Sequence, residues 1–368
     1  MKTVISFLKK EAMLVVSVAA AMVSLVITPP SADLVKAIDW KTLATLFMLL
    51  SVLDGFKHEN LFLPVLRLTE KFSTMLGLSF FLVFGVFFSS MFVTNDVALI
   101  TFVPLALIIG RALKRDVARV IILQTLAANL GSMVTPPGNP QNLFLYAHYH
   151  YTAASFFAVM AVPGLLSIIY LGLLIWRGRN DALTLELPQQ AKPAFWQTVL
   201  LLALLALNIA AVLHWVDKTL ALGITVAYVL LKQRRLLLEV DYSLLVTFVG
   251  FFIFIGNISH TSLALYLKQS LLGTAAGTYV AGVLASQFIS NVPAAMLLAG
   301  LTTEADALLL GVNIGGLGTL IASMASVISY KLFVAEHPYQ AGIYLRTFLY
   351  YNFAGLVLLG ALTYVFVL

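Results

Sequence analysis

Ser90, Thr94 and Asn95 form an S-x-x-x-T-N string inside apolar sequence, and Ser286, Ser290 and Asn291 repeat it at the same spacing. Residues three or four positions apart share one face of a helix, so each string predicts two hydroxyls and a carboxamide held close together. Such groups are hard oxygen ligands for a small cation, or hydrogen-bond donors to an oxyanion. A second duplicated motif lies downstream of each. Asn129-Leu130-Gly131-Ser132-Met133-Val134-Thr135 is echoed by Asn313-Ile314-Gly315-Gly316-Leu317-Gly318-Thr319. Gly131, Thr135, Pro136, Pro137, Gly138 and Pro140 cannot all sit in a regular helix, and Gly315, Gly316 and Gly318 sit in one only at a cost. Unwound backbone at membrane depth persists only where protein or a water-filled cavity satisfies it. Its exposed carbonyl and amide groups would be ligands, joined by the side chains of Asn129, Asn139, Asn142, Asn313, Thr319 and Ser323.

Asp96 follows the first string directly. A carboxylate deep in an apolar segment costs about 3 kcal/mol or more unless it is paired, hydrated or protonated. It reads either as a proton carrier or cation ligand, or as a cap on the helix that returns from the string. Asp54, close to Lys57, reads as an interfacial residue at the end of a span. His148 and His150 flank Tyr149, and two histidines at i and i+2 do not share a helical face, so they read as interfacial residues and not as a metal pair. The chain has neither a phosphate-binding glycine loop with its lysine nor a nucleophile elbow, so nothing supports an ATP-driven pump. No catalytic constellation and no cofactor is expected. The only metal expected is a small cation at the two strings.

The elements that must hold these residues follow from composition. Apolar residues make up 61% of the 368 and charged residues 10%, more apolar surface than a soluble domain can hide. The net charge of +6 is a matter of placement in loops, not a sign of nucleic-acid binding. With no cysteine, disulfides and thiolate metal sites are excluded. The reading is an all-α polytopic membrane protein with spans near 12–28, 40–56, 153–176, 195–214, 218–231, 242–257 and 345–367. Broken helices are expected at 116–150 and 306–334, and re-entrant hairpins at 73–110 and 272–301. The start of the chain resembles a signal peptide, but Thr28-Pro29-Pro30 suits a cleavage site poorly, and an uncleaved first span is favoured.

With the N-terminus in the cytoplasm, all of the 22 basic residues except Lys36, Lys41, Lys218 and Lys268 fall on that side. The C-terminus then lies on the opposite side. Trp40, Trp176, Trp196 and Trp215 fall at span ends, where the indole prefers the headgroup layer. The hydrophilic stretch 177–193 is the natural cytoplasmic linker between a first repeat, 1–176, and a second, 194–368. A third echo, Asp39-Trp40 against Asp241-Tyr242, opens an apolar run in each. Parity starts the first of these outside and the second inside, so the repeats have inverted topology, as in many alternating-access transporters.

Thr94 to Pro104 resembles the "ND…ALI…P" stretch of arsenite permeases, Ser290-Asn291-Val292-Pro293 resembles that family's second tip, and Gly131 to Asn142 is similar to the "G…TP.GNPQN" loop of citrate-transporter-like proteins. The chain therefore resembles the ion transporter superfamily, which includes arsenite permeases, sodium–proton antiporters and citrate transporters. The resemblance implies an elevator-type fold, often dimeric, in which both hairpins and both broken helices move against a scaffold. It also implies sodium at each tip: one site from Ser90, Thr94, Asn95 and the loop around Gly131 and Gly138, the other from Ser286, Ser290, Asn291 and the loop around Gly315 and Gly318. The dicarboxylate symporters carry Ser-Asn-Thr at both tips, whereas the third positions here are Asp96 and Val292. An acid repels a dicarboxylate unless it is protonated or cation-paired.

The expectation is an ion-coupled secondary transporter of a small inorganic anion or oxyacid, driven by sodium or protons, in a membrane such as the bacterial inner membrane. A sodium–proton antiporter and a di- or tricarboxylate–sodium symporter are the alternatives. A channel would need an uninterrupted pore, and an intramembrane enzyme a nucleophile or metal group that the sequence does not offer.

Overall fold

The computed structural model describes residues 12–27, 38–59, 68–178, 180–185, 194–258, 261, 262, 266, 268 and 270–368. Thr28-Pro29-Pro30, Lys2, Lys9, Lys10, Lys36, Arg67, Arg179 and Lys192 lie outside the described residues, as does the Lys57 side chain. The architecture is all-helical and that of an integral membrane protein. In the first half the helices are α1 (Ala12–Ile27), α2 (Trp40–His58), α3 (Met75–Val93), α4 (Asn95–Leu113), α5 (Ala118–Ser132), α6 (Pro140–His148) and α7 (Ala153–Trp176). In the second they are α8 (Phe195–Val212), α9 (Lys218–Lys232), α10 (Tyr242–Ile258), α11 (Ala275–Ile289), α12 (Asn291–Ala299), α13 (Ala305–Ile314), α14 (Met324–Glu336) and α15 (Ala341–Val367).

Several elements start where a side chain satisfies a free amide of the first turn. The Asp39 and Asp241 carboxylates accept from the Thr42 and Leu244 amides, at 3.1 and 3.0 Å, so the third echo is a pair of helix caps. Thr74 and Thr274 cap α3 and α11 in the same manner, accepting from Gly77 and Gly277.

α3 and α4 run side by side as a hairpin, because the Gln124 Nε2 on α5 reaches the carbonyls of both Leu82 and Phe102, at 3.5 and 3.3 Å. The hairpin's base is pinned where the Met75 amide donates to the Asp181 carbonyl. The base of the second hairpin, α11–α12, is closed by the Thr278 and Thr302 hydroxyls, both donating to the Leu272 carbonyl. α3 lies on α5 and α11 on α13, while α4 lies on α14 of the other half and α12 on α6. α1 packs on α10, and α8 and α9 pack on α2. The two halves are thus interlocked, not placed end to end.

Met75–Val93, Asn95–Leu113, Ala153–Trp176, Phe195–Val212 and the C-terminal helix are long and apolar enough to cross a membrane. The arms of the first hairpin are 19 residues each, about 28 Å at 1.5 Å per residue, and those of the second are 15 and 9. By length alone either arm of the first could therefore cross a bilayer. Outward-facing Leu165, Ile169 and Leu173 on α7 and Val357 and Val365 on α15 give these helices an apolar exterior that suits lipid. All four tryptophans are exposed. Asp54, near the end of α2, is buried within the protein, and α8 and α9 pack on its helix.

Candidate substrate and ion site

Both hairpins turn on a single non-glycine residue. Thr94 has φ 67° and ψ 155°, and Ser290 has φ 72° and ψ 154°. This region is almost confined to glycine and costs about 1–3 kcal/mol per residue. Neither hydroxyl caps the helix that follows. The break also changes the expected geometry. The helix ends before Thr94, so Ser90 stays on α3 while Thr94 stands in the turn and Asn95 opens α4, and the three do not share one helical face. Thr94→Gly would release the strain. The variant is expected to be more stable by about 1 kcal/mol and at least tenfold slower in transport, with Thr94→Ser close to wild type. Normal transport by Thr94→Gly would remove the hydroxyl from the site.

The two tips meet their broken helices in matching ways. Ser90 Oγ donates to the Phe87 carbonyl at 2.8 Å and Ser286 Oγ to the Gly282 carbonyl at 2.7 Å, which leaves each oxygen's lone pairs available. A Cβ on Gly131 would lie 2.1 Å from the Phe87 oxygen and 2.6 Å from Ser90 Oγ; one on Gly315 would lie 2.8 Å from Ser286 Oγ. Glycine is therefore what allows the contact at both places. The Thr135 hydroxyl donates to the Met91 carbonyl, and Thr319 donates to the Gln287 carbonyl at 3.0 Å.

The broken helices have a common course. α5 ends at Ser132, a 3-10 turn covers Pro136–Gly138, and Asn139 caps α6 by accepting from the Asn142 amide. α13 ends at Ile314, a 3-10 turn covers Leu320–Ala322, and α14 starts after Ser323. Asn139 and Ser323 are both extended, at φ −154° and −143°. In this register the counterpart of Gly138 is Ala322, not Gly318.

At the centre, Asn129 Oδ1 accepts from Asn95 Nδ2 at 3.4 Å and from Ser323 Oγ at 2.8 Å. Its Nδ2 reaches the Gly316 carbonyl and Ser326 Oγ. The starts of α4 and α14 therefore meet at one carboxamide, and the free amides of a helix start favour an anion. Asn139, Asn142 and Asn313 form a second group: Asn139 Nδ2 donates to Asn313 Oδ1 at 3.1 Å, and Asn313 Nδ2 to Asn142 Oδ1 at 2.7 Å. Asn142 Nδ2 also closes the first loop through the Ser132, Met133 and Thr135 carbonyls. Asp96 sits in the first turn of α4 and is half-buried. Asn291, the counterpart of Asn95, comes close to Gly316, where a Cβ would lie 2.8 Å from its Nδ2.

Sequence reasoning missed Gln287. Its Nε2 donates to the Gly315 and Leu317 carbonyls at 2.7 and 2.9 Å, and its Oε1 accepts from the Thr319 amide at 2.9 Å. Gly318 has φ +102°, and a Cβ there would lie 2.2 Å from Gln287 Oε1. The residue's neighbour in the repeated string, Ser286, was the available signal; its counterpart beside Ser90 is Met91, which cannot make these bonds.

His148 and His150 line a cavity of about 990 Å³ with Asp39, Lys41, His214 and Lys218, far along α6 from the loop. Burial, then Lys218 and His150, push the His214 imidazole below the ordinary histidine range. Among the described residues no group of three histidines or carboxylates is placed to hold a metal, and no lysine or arginine is buried.

The pairing of two strained tips with two helix breaks falls within the stretch that known transporters share. Residues 4–328 match the model of the CitMHS citrate transporter family. The chain belongs to that family. The match spans both hairpins and the first broken helix, and it ends within α14 of the second. A relative named Inner membrane protein YbiR, from Escherichia coli (strain K12), is 32% identical over 310 residues, 80% of each chain. A relative named Uncharacterized transporter MJ0456, from Methanocaldococcus jannaschii, is 30% identical over 306 residues, 80% of this chain and 81% of its own. As a member of the citrate transporter family, the chain is a secondary transporter of the membrane, and the likeness carried by Gly131 to Asn142 is to its own family.

Proposed function

We propose that the protein is an ion-coupled, alternating-access transporter of a small inorganic anion or oxyacid. The observation that carries this reading is the site's charge pattern: helix starts and carboxamides meet around Asn129, the two strings hold no ionisable group and Asp96 directly follows the first, and no buried lysine or arginine stands among the described residues. A tricarboxylate would normally call for arginine forks. A small anion, or a neutral oxyacid, needs only amide and hydroxyl donors.

The halves act as inverted repeats, with the hairpins and broken helices moving as the transport unit in an elevator cycle. Support comes from the matched tips at Thr94 and Ser290 and from the hairpin bases, one beside Asp181 and the other beside Thr302, whose carbonyl accepts from Tyr149. The coupling ion is sodium or a proton. Ser90, Thr94, Asn95 and the Gly131–Gly138 loop form the stronger cation site. At the second tip Gln287 hydrogens already occupy the Gly315 and Leu317 carbonyls, which leaves Ser286, Ser290 and Asn291 fewer partners for a cation. The N-terminus lies in the cytoplasm and the C-terminus opposite. A dimer, its scaffold helices in contact, is the working assembly.

Di- or tricarboxylate–sodium symport is a second reading, favoured by the family's name. Sodium–proton exchange without an anion is a third. Uptake by proteoliposomes separates them: arsenite, phosphate, sulfate and citrate are offered with and without imposed sodium and proton gradients. Gradient-driven uptake of citrate and of no inorganic species would replace the leading reading by the second. Cation exchange without any anion would replace it by the third.

A further inference from the structure

A cavity of about 960 Å³ opens at the other end of the molecule, between α3, α5, α7 and α15, away from the carboxamide centre. It is lined by Arg115, Arg119 and Arg177, by apolar side chains including Leu76, Leu174 and Leu358, and by Asp116, Asp181 and three tyrosines. Asp181 takes up the charge of Arg115 at 2.7 Å. Asp116 spends a carboxylate oxygen capping α5 through the Ala118 amide. Arg119 is held by neutral acceptors, the Tyr351 hydroxyl at 3.2 Å and the Leu174 carbonyl, and it makes no ion pair among the described residues. Gly178 lets it lie there, since a Cβ at that position would stand 2.6 Å from Arg119 Nη1. A guanidinium fixed by neutral groups keeps its charge and its remaining donors for an outside anion.

The surroundings say which anion. Arg119 opens α5, Arg177 ends α7, and the exposed Trp176 beside it marks the headgroup level. From that level the wall continues into the bilayer-facing leucines of α7 and α15, Leu173 and Leu358. Arginines beside an apolar wall match an anionic lipid, phosphate at the arginines and acyl chain along the leucines. A free anion would have no use for the wall.

We propose that this cavity is a binding site for an anionic phospholipid, whose headgroup phosphate pairs with Arg119 and Arg177. The lipid would join α5 of the candidate transport unit to α7 and α15.

The test is a titration of delipidated, purified full-length protein, followed by thermal unfolding and by native mass spectrometry. Dioleoyl phosphatidylglycerol is expected to raise Tm by several degrees and to give a one-lipid adduct, with dioleoyl phosphatidylcholine and inorganic phosphate much weaker. Arg177→Gln, exposed and without an ion pair among the described residues, should fold normally and bind phosphatidylglycerol several-fold more weakly. Arg119→Gln should weaken it at least tenfold. Equal shifts with the two lipids would overturn the proposal, as would unchanged binding by both variants. A shift reproduced by inorganic phosphate alone would assign the site to a free oxyanion instead.

Discussion

Asn129→Ala is expected to reduce gradient-driven transport below a tenth of wild type. The side chain joins both halves: it bonds Asn95 at the first tip, Ser323 at the start of α14, Ser326 one turn further and the carbonyl of Gly316. Truncation leaves those groups buried without this partner, and each orphaned polar group costs about 1–3 kcal/mol. Part of the effect is thus a lower unfolding temperature. The two parts separate because stability is read by thermal unfolding and transport by initial rates at a temperature where the variant remains folded. A folded Asn129→Ala that transports normally would show that the carboxamide is only interhelical packing, the role asparagine commonly has in membrane helices.

Asp96→Asn is expected to remove coupling while sparing the fold. The substitution keeps the shape and one acceptor oxygen but removes the charge and the titratable proton. Asp96 stands in the first turn of α4, where a carboxylate gains about 0.3–1 kcal/mol from the helix dipole. That is all the protein should lose if the residue only caps the helix, and transport would then hardly change. The coupling role predicts instead at least a tenfold loss of accumulation against a gradient, with substrate counterflow retained. Asp96→Glu should recover part of the accumulation. Wild-type accumulation by Asp96→Asn would exclude the residue from coupling.

Much of the helix plan was legible because lipid-facing helices announce themselves by length and apolarity, and glycine and proline mark the breaks. α7 spans 153–176, as the sequence indicates, and α5 and α6 separate at Thr135-Pro136-Pro137-Gly138. The central carboxamides were legible because they are polar residues repeated at matched positions in apolar sequence. Four features were not. The turn at Thr94 is a backbone conformation that threonine rarely adopts, so helical spacing suggested a shared face. Gln287 acts through bonds to a loop some 30 residues away, and its string partner is methionine, so no repetition flagged it. Asp54 lies near the end of its helix, and its burial comes from tertiary packing that spacing along the chain does not reveal. The echo at Asp39 and Asp241 marked where two apolar runs open, but not that both carboxylates cap the helices there.

Accessibility of the two tips tests the central claim most directly, and the protein has no cysteine to interfere. Thr94→Cys and Ser290→Cys would be labelled from either side of sealed, oriented vesicles with a membrane-impermeant maleimide. Alternating access through paired tips predicts that each cysteine can be reached from both sides in turn, and that a transported anion with its coupling ion slows both reactions together. Labelling of both cysteines from the same side only, at rates that no substrate or ion alters, would contradict it.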